Sequence, residues 1–334
     1  MRFDFLVPGL LGSPSAQKLC EFAPALATLL ARASVSEHRA ESLESWVAIG
    51  FGAASNRTFP FAAVASRAES IAHESEKYWL RADPIHLSVN RDRMVLLDAS
   101  QLDITPAESV ALLQTLVEHF KKDNFSIHAP YPERWYISSN QPIAIHSHPT
   151  SEVRGCNVAD YWFDGADRAL WQTRLSEMQM LLHAHPVNEA REAAGRLQIN
   201  GIWFWGAGDM PSALTRNYAQ IVSNDVLLKG IASITAVRFI NASQFSWSEL
   251  SVIQNGNTLL ALDHLASPAV YGEWDTWQTA LTALERNWFK PALSALKMGQ
   301  LKEIKIYAPN KKQNRVFSVN RIDLMKFWRR LQTT

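Results

Sequence analysis

Cysteine is nearly absent from this sequence: Cys20 and Cys156 are the only two in 334 residues. They lie too far apart for a zinc pattern and are too few for a disulfide framework, so the expected setting is a reducing, cytoplasmic compartment. An excess of either charge is missing as well. Lys and Arg number 33 against 32 Asp and Glu, a formal net charge of +1, so no bulk field draws the chain to nucleic acid or to an anionic membrane. No apolar run approaches the roughly 18 residues of a spanning helix. The opening MRFDFLVPGLLGSPSAQ carries one basic residue and breaks at Pro8-Gly9, so it is expected to be a core strand and not a secretory leader. There is no internal repeat, no low-complexity tract and no GxSxG elbow. Neither nucleic acid nor membrane is expected as a partner.

What is present is core-forming material. Hydrophobic residues make up 47% and charged residues 19%, enough to remove about three quarters of the unfolded chain's surface from water. The length corresponds to two domains, or to one large α/β domain carrying an insertion.

Phe3-Asp4-Phe5-Leu6-Val7 reads as a short buried strand stopped by Pro8, which has no N–H to donate. Leu19, Phe22, Ala23, Leu26, Leu29 and Leu30 keep the spacing of one helix face, with a kink at Pro24. Ile85–Leu87 and Met94–Leu97 flank a polar turn, as do Phe125–His128 and Arg134–Ile137, which predicts two hairpins. Thr105-Pro106-Ala107-Glu108 carries the signature of a capping box and starts a helix running to Phe120. A helix is expected over 166–185. Ile199–Trp205 is apolar throughout, as a buried parallel strand must be, and ends in Gly206-Ala207-Gly208, taken as a turn at a ligand-facing strand end. Helices over 225–232 and 276–296 and strands over 259–262 and 303–307 follow, and 317–320 pairs back on the last strand.

Three blocks carry a resemblance. They are Trp79-Leu80-Arg81-Ala82-Asp83-Pro84-Ile85-His86-Leu87; Gln179 to Asn188 with Arg191 after it; and Asn200-Gly201-Ile202-Trp203-Phe204-Trp205-Gly206-Ala207-Gly208. In this order they resemble the RpfE-type regulatory proteins of bacteria, distant relatives of the archaeal-type, cofactor-independent phosphoglycerate mutases. The resemblance implies an alkaline-phosphatase-like α/β core, a mostly parallel sheet sandwiched by helices, with a smaller inserted α+β domain. The expected division is 1–78 with 198–334 for the core and 79–197 for the insert.

Mutases of this kind hold two divalent metals, Mn or Zn, on carboxylates and imidazoles, and use a serine nucleophile. This chain departs from that pattern. The first strand runs into Val7-Pro8-Gly9 where the mutases have Asp-Gly; Asp263 is followed at the fourth position by Ser267 instead of His; and Lys311 stands after the last core strand. No cofactor is therefore expected. The alternative keeps two metals with rearranged ligands, Asp263 and His264 among them.

In the resembled mutases the region of Asn188 and Arg191 adjoins the substrate cleft. Asn188, Arg191, Asn200, Gly206 and Gly208 are accordingly candidate ligand contacts for a small phosphorylated or carboxylated metabolite, since Arg191 can fork two donors onto an oxyanion. The other motifs point to structure. His146-Ser147-His148 and His183-Ala184-His185 lack the extra ligands of a zinc site; Gly206-Ala207-Gly208-Asp209 lacks the third glycine of a dinucleotide fingerprint. Asp83 and His86 are expected in packing roles, the 12 tryptophans mostly in the core, and Lys326-Phe327-Trp328-Arg329-Arg330 as a solvated amphipathic helix end. The leading expectation is a mutase-like protein that has lost bimetal chemistry and binds a small anion or a protein partner in a regulatory role. The competing one is an active metal-dependent mutase or phosphohydrolase, and a weaker third is a scaffold with a Trp-rich binding surface.

Overall fold

The structure is a computed structural model describing residues 1–12, 16–38, 42–53, 57–71, 77–90, 93–244, 247, 256–309 and 314–329. Its strands are β1 (Arg2–Leu6), β2 (Ser34–His38), β3 (Tyr78–Asn90), β4 (Arg93–Leu97), β5 (Phe125–Tyr131), β6 (Arg134–Ser139), β7 (Gly201–Asp209), β8 (Gln220–Ser223), β9 (Arg238–Asn241), β10 (Thr258–Ala261), β11 (Glu303–Ala308) and β12 (Asn314–Asn320). The helices are α1 (Ala16–Phe22), α2 (Pro24–Arg32), α3 (Leu43–Gly50), α4 (Phe61–Ala68), α5 (Pro106–His119), α6 (Thr150–Val153), α7 (Arg168–His183), α8 (Pro186–Ala193), α9 (Val226–Ile234), α10 (Ala266–Tyr271), α11 (Trp274–Leu284) and α12 (Lys290–Lys297). They form two compact units, residues 1–52 with 215–334 and residues 53–214.

The first unit holds a seven-stranded sheet in the order β2-β12-β11-β1-β10-β8-β9. β11, β1, β10, β8 and β9 run parallel, while β12 is antiparallel to β11 and β2 to β12. Alternation along β1 sends Phe3 and Phe5 into a core shared with Leu26 and Leu29 of α2, Leu281 of α11 and Leu296 of α12. On the other face Trp46 of α3 meets Tyr307 of β11 at 5.0 Å, so helices cover both sides. Burying each of these large apolar side chains contributes about 2–3 kcal/mol.

Proline chemistry divides the first helical stretch. The break falls at Ala23, with Pro24 at the first position of α2. Ala23 brings no capping oxygen, and the carboxylate of Glu285, 260 residues later, takes that place: it accepts from Ala25 N at 2.7 Å and Leu26 N at 3.1 Å.

Asp4 also lies on the Tyr307 side and is fully buried. Arg2 Nη2 donates to it at 2.9 Å and the Tyr218 hydroxyl at 3.0 Å. Burial raises the Asp4 carboxyl above its ordinary range, and Arg2, Tyr218 and Lys305 only partly offset this.

The second unit is an antiparallel sheet in the order β4-β3-β6-β5, with β7 also paired to β3. Both expected hairpins are present, β3–β4 and β5–β6. Leu80, Ala82, Ile202 and Phe204 face α5 and α7 in a core with Leu112, Leu116, Trp171 and Met178. Thr105 and Glu108 close the capping box of α5, Thr105 N donating to Glu108 Oε2 at 2.8 Å and Glu108 N to Thr105 Oγ1 at 3.2 Å.

Three expectations need correction here. The apolar run 199–205 is not a parallel core strand: β7 pairs antiparallel with β3, Ala82 opposite Phe204 and Asp83 opposite Trp203. It is apolar throughout because both of its faces are covered, Ile202 and Phe204 by the core and Trp205 by Phe61 of α4 at 5.6 Å. Gly206 to Gly208 is not a terminal turn either. β7 continues to Asp209, and the register with β3 shifts between Trp79 and Arg81, a β-bulge that Gly206 accommodates with φ +66. The boundaries move accordingly: α4 and β7, placed by the sequence reading in the core, belong to the compact unit 53–214.

Candidate functional site

In open parallel sheets, ligands sit outside the carboxyl ends of the strands. Here that edge is formed by the residues after β1, β10, β8, β9 and β11. β1 exits through Pro8 and Gly9 (φ +83), and a Cβ at Gly9 would stand 2.3 Å from the Leu265 carbonyl oxygen, so the chain is closely packed where a metal ligand would have to project. Beyond β8, the Ser223 hydroxyl donates to the Ala261 carbonyl at 3.3 Å, and Asp225 caps α9 by accepting from Leu228 N at 2.9 Å. After β9, Ser243 N donates to Asn224 Oδ1 at 3.0 Å and to Asn241 Oδ1 at 2.9 Å, tying two strand ends together. β11 ends at Ala308 and meets Pro309; Lys311 lies outside the described residues.

Among the described residues, Asp263 and His264 after β10 bring metal-ligating chemistry to this edge, beside Asp225 after β8, whose carboxylate is engaged as the cap of α9. Asp263 and His264 are both exposed, and Asp263 Oδ1 lies 4.0 Å from His264 Nδ1. Among the described residues no group of three or more His, Cys, Asp and Glu side chains is placed to hold a metal ion. Two divalent cations each need three or four such ligands, a number that the described residues at this edge do not supply by themselves.

Beside the ends of β8, β9 and β10 lies a cavity of about 510 Å³, within the size range of small-molecule sites. Its wall is apolar: Ala280, Ala283 and Leu284 from α11, then Trp288 and Pro291. Asn224, Ser243, His264, Arg286 and Asn287 supply its polar groups, all of them exposed. The geometry follows from a π-helical turn over Glu285–Phe289 between α11 and α12, where Lys290 N donates to Glu285 O. Pro291 has no N–H with which to continue an α-helical ladder, and the resulting wide turn brings Arg286, Asn287 and Trp288 to the cavity. Arg286 Nε donates to Asn287 Oδ1 at 3.3 Å, and its two terminal nitrogens have no partner among the described residues. Among the described residues no carboxylate lines the cavity. The one described lining side chain with a fixed charge is a guanidinium, which suits an oxyanion.

The residues singled out from sequence lie elsewhere and are engaged internally. Asn188 is fully buried. Its Nδ2 donates to the carbonyls of Leu182 at 2.7 Å and Ile199 at 2.8 Å, and its Oδ1 accepts from Ile199 N at 2.7 Å. Arg191 is buried too; it pairs with Glu108 at 2.9 Å and donates to the carbonyls of Leu197, at 2.7 Å, and Leu102. Asn200 grips the backbone of Leu87, accepting from its N at 2.7 Å and donating to its O at 3.1 Å. Cβ atoms at Gly206 and Gly208 would stand 2.7 Å from Phe61 Cβ and 2.8 Å from Pro60 Cβ. These five positions are fasteners of the second unit: the polar side chains stand in for missing strand partners and the glycines permit α4 to pack closely.

Glu108 is the centre of that network. Burial alone would raise its carboxyl, but the Thr105 N–H and Arg191 hold it below the usual range. Arg196 adds a second guanidinium at 2.9 Å. Asp83 and His86 are packing residues as expected. Asp83 pairs with Arg81 at 2.6 Å and accepts from Trp205 Nε1 at 2.7 Å, and His86 Nδ1 lies 2.8 Å from the Gln198 carbonyl. The C-terminal basic-aromatic stretch follows a short 3-10 turn, Asp323–Met325, with Phe327 and Trp328 exposed, and is not a helix end; Arg330 lies outside the described residues.

Arg286, Asn287, Asn224 and Ser243 escaped the sequence reading. The available signal was Arg286-Asn287-Trp288-Phe289-Lys290-Pro291, two polar residues ahead of an aromatic pair and a proline inside an otherwise periodic helix.

A mainly parallel sheet between helices, with a second α+β unit, defines a mixed α/β protein of the doubly covered type. The comparisons with known proteins fall in line with that class. No family model matches the chain. The 2,3-bisphosphoglycerate-independent phosphoglycerate mutase of Methanosarcina mazei is 25% identical over 162 residues, 46% of this chain and 41% of that protein. A probable enzyme of the same description from Geobacter sulfurreducens is 25% identical over 137 residues, 39% of this chain and 33% of that one. The matched stretch thus spans about two fifths or less of these relatives' length. Among solved structures, the PH0037 protein from Pyrococcus horikoshii aligns with a TM-score of 0.53 and 12% identity, over 96% of this chain and 87% of that one. The cofactor-independent phosphoglycerate mutase from Thermoplasma acidophilum aligns with a TM-score of 0.45 and 15% identity, over 95% and 89%. The chain is a distant homologue of cofactor-independent phosphoglycerate mutases.

Proposed function

We propose that this chain is a phosphoglycerate-mutase-like protein whose strand-end site no longer performs bimetal phosphoryl transfer, and that it serves as a regulatory, small-anion-binding protein of the kind the RpfE-type resemblance implies. The observation that carries this reading is the chemistry of the carboxyl edge. Where phosphoryl transfer needs several anionic ligands to hold cations against the developing charge, the described residues there offer Pro8, Gly9, Asn224, Ser243 and Pro309 around one Asp263–His264 pair, with Asp225 taken up in capping α9. An edge of amides, hydroxyls and a nearby guanidinium binds anions without a cation to mediate. A cytoplasmic location belongs to the same proposal. Among the described residues no helix is long and apolar enough to cross a membrane.

Metal analysis of the purified full-length chain, paired with a mutase assay on 3-phosphoglycerate in excess manganese, tests it. The expected result is metal far below one equivalent and no turnover. Two equivalents of metal, with turnover that Asp263→Ala abolishes, would sink the proposal and establish an active enzyme with rearranged ligands.

A further inference from the structure

The cavity between the ends of β8, β9 and β10 and the π-helical turn combines an apolar wall with a polar rim, and the rim has one unengaged fork of positive charge. We propose that it is a binding site for an amphiphilic anion, a small molecule with a phosphate or carboxylate head and an aromatic or aliphatic body. This deepens the small-anion reading above and rests on it only for the general class of ligand.

Three features on the rim and wall carry the argument. The terminal nitrogens of Arg286 have no partner among the described residues, and a guanidinium offers two parallel donors to an oxyanion where an ammonium offers a point charge. Asn224 is already oriented: its Oδ1 accepts from Ser243 N at 3.0 Å, which leaves its Nδ2 to donate, beside the Ser243 hydroxyl. The wall of Ala280, Ala283, Leu284, Trp288 and Pro291 is apolar, so a wholly polar anion would leave it unmatched, whereas a ligand with an apolar body covers it. Among the described lining residues there is no carboxylate, so the anionic head meets no like charge from them.

The probes are phenyl phosphate, benzoate and inorganic phosphate, titrated calorimetrically into the full-length protein. Phenyl phosphate or benzoate should bind at least tenfold more tightly than inorganic phosphate, because only they engage the wall. Preference for one of the two heads identifies the oxyanion, and either preference supports the site. Arg286→Gln should weaken the better ligand at least tenfold, and Arg286→Lys should recover only part of that loss. Ala283→Phe, which fills the wall side, should abolish binding of the phenyl compounds; should that variant fail to fold by circular dichroism, the exposed Arg286 variants decide alone. Equal affinity for all three probes, no heat up to probe concentrations on the order of 10 mM, or unchanged affinity in Arg286→Gln would overturn the proposal. The two readings fail separately. Metal-dependent turnover lost in Asp263→Ala, with aryl-anion binding still lost in Arg286→Gln, removes the functional reading and leaves the site. Metal-free, inactive protein with Arg286→Gln binding normally removes the site and leaves the reading.

Discussion

Arg191 and Arg286 have the same side chain in opposite circumstances. Arg191 is buried, and its donors go to Glu108 and to two backbone carbonyls; Arg286 is exposed, with its terminal nitrogens uncommitted. Removing the first leaves buried acceptors and a carboxylate undercompensated, so Arg191→Met should cost about 3 kcal/mol in urea unfolding while aryl-anion binding is unchanged. If stability held and binding fell, Arg191 would be a ligand contact after all. Gly206 illustrates the same commitment in the backbone: φ +66 and the nearness of Phe61 leave no place for a Cβ, and Gly206→Ala should destabilise by about 1–2 kcal/mol.

Asp4 gives a pH dependence whose sign is fixed by its raised carboxyl. In the unfolded chain an aspartate releases its proton near pH 4, whereas folded Asp4 keeps it to higher pH. Between those points the native state binds more protons, so this group's contribution is fully present below the unfolded pKa and is lost as pH rises through the folded one. Urea unfolding of the wild type and Asp4→Asn across about pH 4–7 should show that downward slope diminished in the variant. Equal slopes in the two proteins would exclude Asp4 as its source.

Among the elements, α5 and the π-helical turn mark the two ends of legibility. The capping box Thr105–Glu108 needs only four consecutive residues, and local chemistry was enough to place it. Glu108 should show this in the pH dependence of urea unfolding. As its carboxyl is held low, its stabilisation is present above the unfolded pKa and fades as pH falls through the folded one. By contrast, the cap of α2 comes from Glu285, 260 residues away, and no local pattern announces it. Glu285→Gln keeps only one acceptor oxygen for two N–H groups and should cost about 1–2 kcal/mol by thermal or urea unfolding; a neutral result would show that α2 holds its first turn without this carboxylate. β7 was misplaced for a related reason. A strand apolar on both faces is equally at home in a parallel sheet or in an antiparallel one covered by α4 and α7, and the choice lies in its partner.

At the scale of the whole molecule, each unit has its own core, and the absence of a described ligand cluster for metal has a thermodynamic counterpart. A protein that binds a cation only when folded gains stability as the cation is added, by about 2.7 kcal/mol at a hundredfold excess over Kd. The melting temperature of this chain should therefore stay within experimental scatter in excess manganese or zinc and after chelation. A rise of several degrees with either metal would point to ligands outside the described residues.

By itself the sequence determined the α/β class, the two hairpins and the capped helix, because each depends on residues close together in the chain. It also singled out Asn188, Arg191 and Asn200, through the resemblance, as candidate ligand contacts. Only the tertiary structure decided what their polarity is for, since a side-chain amide or guanidinium can face a ligand or a distant backbone, and here segments brought together by folding supply the backbone. The same folding assembles Asn224, Ser243, His264 and Arg286 from four stretches of chain beside one wall. Convergence of that kind is set by strand order and a proline-widened helical turn, neither of which any single stretch encodes.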